Sequence, residues 1–84
     1  MSTYRVEVRI TPREGLLDPE GKAVEHALHA LEFEGVRGVA MGRLIRFRLE
    51  AADAGDARRK SDEICRKLLA NPVTEDYTIA IEEA

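Results

Sequence analysis

Ten residues near the end of the chain, Leu68-Leu69-Ala70-Asn71-Pro72-Val73-Thr74-Glu75-Asp76-Tyr77, encode a helix end, a stop and a strand start, and so limit the available folds. Asn71 tolerates a left-handed cap, and Pro72 biases the residue before it toward an extended conformation. A helix arriving here must end at about Ala70. Beyond the stop, Tyr77, Ile79 and Ile81 alternate with Thr78, Ala80 and Glu82, the period of a strand with one apolar face.

The same period opens the chain. Tyr4, Val6, Val8 and Ile10 alternate with Arg5, Glu7 and Arg9 until Pro12, which has no amide hydrogen to give to a sheet. Asp18 then offers an N-cap oxygen, and Pro19 fits the first helical position, where a missing donor costs nothing. Val24, Ala27, Leu28 and Leu31 form a narrow stripe expected to pack on the sheet, with Glu25, His29 and Glu32 pointing away and Gly35 ending the helix. From Val36 to Glu50 the period of two returns, most clearly at Ile45, Phe47 and Leu49. Gly42 interrupts it, so the segment reads either as one strand kinked there or as two strands joined by a tight turn. Asp53 caps a second helix, with Asp56 completing a short version of a capping box. Its apolar stripe is Ala57, Ser61, Ile64, Cys65, Leu68 and Leu69, and Arg66 and Lys67 complement the dipole near its end.

These elements predict a single α+β domain over residues 1–84, with two helices on one face of a three- or four-stranded, mostly antiparallel sheet, in the order β-α-β(-β)-α-β. The other face would carry Arg5, Glu7, Arg9, Arg46, Arg48 and Glu82, facing water or a partner, and the sheet edges could be extended by another subunit. A domain of 84 residues buries only roughly 60–65% of its unfolded surface, so association is an expected source of stability. Its 13 basic and 16 acidic residues give a net charge of -3, which argues against nucleic acid as the main partner. One cysteine, no leader and no apolar run near the ~20 residues of a membrane helix make the chain read as cytosolic and away from membranes.

The search for chemistry yields little. His26 and His29, with Glu25 and Glu32 nearby, have a spacing that could place ligands together, but nothing beyond the helix completes a metal shell, and solvated surface histidines are the better reading. Cys65 lies on an apolar stripe and reads as a small hydrophobe rather than a nucleophile. Arg58, Arg59 and Lys60 read as a solvated face with local ion pairs, in preference to a contact for an acidic neighbour. Asp18 to Gly21 opens a helix where an anion could sit, but the Asp18 carboxylate would cap those amides itself and repel one. No phosphate loop follows Gly42. No catalytic, cofactor-binding or metal-ligating residue is assigned.

The opening strand, Leu17-Asp18-Pro19-Glu20-Gly21, Ala23-Val24, Ala27-Leu28, Gly42-Arg43 and above all Leu68 to Tyr77 together resemble the PurS family, the small subunit of phosphoribosylformylglycinamidine synthase. Glu20 stands where that family favours glutamine, Arg43 where it favours lysine, and Thr74 where it favours isoleucine. The resemblance implies a non-catalytic subunit of a ligase complex that converts formylglycinamide ribonucleotide to the amidine using ATP, magnesium and glutamine. It also implies a homodimer, with pairing into a tetramer left open. That dimer would bridge a large synthetase subunit and a glutaminase subunit and assist ammonia transfer between them. Asp18, Pro19, Gly21, Gly42, Arg43, Asn71, Pro72, Glu75 and Tyr77 are the candidate structural or interface residues. A stand-alone dimeric domain that senses a small ligand is the competing reading, and a small enzyme using Cys65 a third.

Overall fold

β1 (Ser2–Pro12) is the middle strand of a three-stranded sheet, flanked by β2 (Arg43–Ala51) and β3 (Glu75–Glu83), both antiparallel to it. The computed structural model describes residues 1–84. α1 (Pro19–Ala30) follows β1, and α2 (Ala54–Ile64) follows β2 and runs on through a π turn, Cys65–Leu69. The α+β class, the antiparallel sheet and its two helices are as expected, and the sheet has three strands.

Register puts the apolar set on one face. Val6 lies between Phe47 and Ile81, and Val8 between Ile45 and Ile79. Tyr4, Val6, Val8 and Ile10 are all buried beneath α2. That helix approaches closely because its inward line, Ala57, Ser61 and Cys65 at four-residue intervals, is made of small side chains that are fully buried. Asp53 caps its first turn by accepting the Asp56 amide at 2.8 Å, and the short Asp56 side chain reaches back to the amide of Ala52 at 3.0 Å. Arg59 to Lys67 carry the expected local ion pairs, among them Asp56 with Arg59 and Lys60, Asp62 with Arg66 and Glu63 with Lys67, whereas Arg58 pairs with no acid and donates to the Ile79 carbonyl at 3.4 Å.

Three expectations are corrected. The second helix does end at Ala70, which is extended, but its last turn closes by a bond from the Ala70 amide to the Cys65 carbonyl, five residues back. The extra residue in that turn rotates Leu68 out to solvent, 80% exposed, and brings Leu69 and Ala70 onto the sheet. Asn71 is not left-handed; the positive φ belongs to Glu32 instead, at 74°. α1 stops there, three residues before Gly35, because the amides of Glu32 and Phe33 bond back to the carbonyls of His29 and Leu28 in a Schellman closure.

The third correction concerns residues 36–42, which are neither a kinked strand nor a hairpin. Residues 36–41 run antiparallel along α1 as a strap. The Met41 amide donates to Asp18 at 3.0 Å, the Val39 amide to Glu25 at 3.2 Å, and the Val36 carbonyl lies 2.8 Å from His29 Nε2, which donates to it. Asp18, Glu25 and His29, seven and four residues apart, make one polar helix face, and it is this face that is covered. Val24, Ala27 and Leu31, expected to pack on the sheet, are exposed instead.

One core position departs from the rule that buried polar atoms are paired: the Ser61 hydroxyl is fully buried with no partner. Ser61→Ala should therefore raise stability by about 1 kcal/mol, read by urea unfolding, since it removes an unpaired polar atom and favours the helix.

Candidate functional site

The nine candidate residues gather at one end of the sheet, where β1 finishes and β2 and β3 begin. They form two clusters on either side of Gly42.

The first cluster is built on Asp18. Its Oδ1 accepts the Gly21 amide at 3.0 Å while Oδ2 accepts that of Met41, and Pro19 starts the helix between them. Gly21 is buried against the strap, where a Cβ would collide with the Val39 carbonyl and with Asp18 itself. Gly42 makes the equivalent approach on the sheet side: a Cβ there would strike the Ile10 carbonyl. Both glycines are thus required by close backbone contacts. The Met41 and Gly21 amides hold the Asp18 carboxyl below the usual carboxylate range, and the Val39 amide does the same for Glu25.

The second cluster is built on Glu75. Arg43 Nη2 lies 2.9 and 3.1 Å from its two carboxylate oxygens and also donates to the Leu69 carbonyl at 3.0 Å. The Asn71 amide donates to Glu75 Oε1 at 2.8 Å, so one carboxylate ties the end of the π turn to the start of two strands. Asn71 Oδ1 accepts the Val73 amide, folding the Asn71-Pro72-Val73 turn on itself. Arg13 grips the same turn from β1's side, donating to the Pro72 carbonyl at 2.6 Å and pairing with Asp76 at 3.3 Å. Tyr77, beside Ile10 in the sheet, donates its hydroxyl to Asp62 on α2 at 2.5 Å. That bond lowers the Asp62 pKa and raises that of Tyr77.

Sequence reasoning missed Arg13, Glu25, His29 and Asp62. Asp18, Glu25 and His29 carried a usable signal, a polar stripe at helical spacing parallel to the apolar one. Arg13 and Asp62 carried none, because their partners are distant in sequence. His29 is not the solvated residue expected, being engaged by the strap, and it shares no ligand set with His26: no three His, Cys, Asp or Glu side chains gather closely enough to hold a metal ion. Cys65 is fully buried, and burial followed by the nearby Asp62 pushes its thiol up, the reverse of what activates a nucleophile. The geometry therefore fixes loops and helix ends; it presents no convergent reacting groups.

Comparison with known proteins finds one family along nearly the whole chain. Residues 5–83 match the PurS family model, described as phosphoribosylformylglycinamidine (FGAM) synthase. The phosphoribosylformylglycinamidine synthase subunit PurS of Bacillus subtilis is 41% identical over 80 residues, 95% of this chain and 94% of the relative. The structure of Thermus thermophilus PurS superimposes with a TM-score of 0.84 at 34% identity, covering 98% of each chain. A chain in the structure of PurLQS from Thermotoga maritima matches with a TM-score of 0.84 at 26% identity, covering all of both.

Two tests follow from the clusters. Glu75→Ala should cost about 1–3 kcal/mol in chemical unfolding, and a double-mutant cycle with Arg43→Ala should show coupling of at least ~0.5 kcal/mol. The second test is acid stability. Asp18, Asp62 and Asp56, the last lowered to about 2 by the Ala52 amide and then Arg59, bind protons more weakly when folded. Their contribution is complete above about pH 4 and is lost as pH falls toward about 2, so the Tm should drop across that window. Asp18→Asn should lower Tm at neutral pH and shrink the acid drop.

Proposed function

The chain belongs to the PurS family of phosphoribosylformylglycinamidine synthase, and from that membership we propose that it works as the small subunit that holds the enzyme's two catalytic subunits together. As a subunit of this ligase it supports the glutamine-dependent conversion of formylglycinamide ribonucleotide to formylglycinamidine ribonucleotide in purine biosynthesis. The chemistry belongs elsewhere in the complex. ATP, magnesium and the ribonucleotide go to the synthetase subunit and glutamine to the glutaminase subunit. This chain pairs with itself, bridges the two and assists the passage of ammonia between them, in the cytoplasm. Family membership disfavours the stand-alone sensor reading.

The observation that carries the bridging role is the amount of surface a single chain leaves uncovered. Its accessible surface is 6212 Å², whereas a compact monomer of 9.4 kDa exposes roughly 5,000 Å². The excess exceeds the ~800 Å² per partner of a standard interface. The radius of gyration, 16.3 Å with extents of 52 × 26 × 14 Å, is well above the ~12 Å expected for this length. The uncovered surface includes an apolar group: Leu16, Leu17, Val24, Leu31 and Phe33 on and around α1 are exposed. Partners that cover α1 gain apolar burial that the chain cannot obtain alone.

Reconstitution tests this reading. The isolated chain should be at least a dimer at micromolar concentration by light scattering, and glutamine-dependent amidination by the synthetase and glutaminase subunits should require it. Cys65→Ala should keep turnover within a few-fold of the parent. Val24→Glu with Leu31→Glu should leave the isolated chain folded, because neither side chain is buried, yet abolish assembly. Full glutamine-dependent turnover without the chain would contradict the proposal.

A further inference from the structure

The sheet face opposite α2 breaks a rule that its neighbours keep. Arg5 stands directly across from Arg48, a like-charge cross-strand pair that is destabilising in isolation. Glu82, on Arg5's other side, takes Arg5 at 2.6 Å. Arg48 is left without a carboxylate. Two residues away on the same strand and face, Arg46 is also unpaired, although Glu7 lies across from it; Glu7 instead sits 3.7 Å from Arg9. Both arginines are exposed, in a chain whose net charge is -3 and in which Arg59 and Arg66, on α2 and its π turn, are paired with acids.

The two arginines edge an open cleft of about 510 Å³, with Arg5, Glu7 and Glu82 around it and Ala80 leaving its floor low. Neither helix lies over this face. Two guanidinium groups on alternate residues of one strand present planar donor forks that match carboxylates at similar spacing.

We infer that this cleft receives an acidic segment of a larger subunit of the complex, its Asp or Glu side chains pairing with Arg46 and Arg48. The inference rests on the bridging role proposed above and identifies one of the surfaces that serves it. Charge complementarity selects the occupant. A second copy of this chain would bring Glu7 and Glu82 with its arginines, but those carboxylates are engaged by Arg9 and Arg5, so its free charges would again be the two guanidinium groups; an apolar segment would leave the guanidinium groups buried without partners.

The test uses Arg46→Glu with Arg48→Glu, and Arg48→Gln as a milder variant should the reversal fail to fold. Binding to the purified synthetase and glutaminase subunits is measured by calorimetry at low and high salt, and self-association by sedimentation. The expected result is a loss of about tenfold or more in affinity for one larger subunit, a weaker salt dependence, unchanged self-association, and a Tm equal to or above the parent's. Parent-like affinity in the variants overturns the inference while leaving the bridging role intact, as does a loss confined to self-association. Failure of the parent chain to bind either subunit overturns both.

Discussion

Everything in this fold hangs on β1. It is the one strand bonded on both sides, and its even-numbered side chains form the buried line against which α2 packs. Burial of such side chains contributes on the order of 1.5–3 kcal/mol each, which makes this line the largest single source of stability in a chain with few buried residues. The alternation also dictates the other face, because each odd residue of β1 must point away from the helix. Core and charged face are two consequences of one pattern.

At the end of β1 the apolar layer runs out, and polar groups take over the holding of the chain. The last row of the helix-facing side is Arg43, Ile10 and Tyr77, and the bonds to Glu75, Leu69, Asn71 and Asp62 begin there. The strands, the caps at Asp18 and Asp53, and the stop before Asn71 were legible because each rests on a local rule. The strap was not. Its alternating residues look like a strand, and only the side chains of Asp18, Glu25 and His29, which take its backbone groups, divert it from the sheet. The π turn was hidden for a related reason: one added residue per turn changes which leucine faces inward without changing the composition. Convergence of the candidate residues was visible only as a family pattern, since Arg43 meets Glu75 across thirty-two positions.

The inversion of α1 links this architecture to function. A helix that spends its polar face on a strap turns its apolar face outward, which is unfavourable for a chain alone and useful for one that is assembled. The two glycines follow from the same arrangement, since Gly21 lets the strap approach the helix and Gly42 lets it turn onto β1. Glu75 and Asp18 thus fix the loops and helix ends around the surfaces proposed for partners, while Arg46 and Arg48 project from the middle of β2 on the open sheet face. Rigid polar anchoring and an exposed apolar stripe are what the proposed bridging role calls for, and neither requires a reacting group.

Hydrogen exchange, comparing the dilute chain with the reconstituted complex, addresses the central claim most directly. The account predicts that β1 amides are the slowest in both states, and that α1 amides exchange rapidly in the dilute chain and slow markedly on assembly. Equal protection of α1 in the two states would contradict it, because that helix would then owe its order to the chain alone.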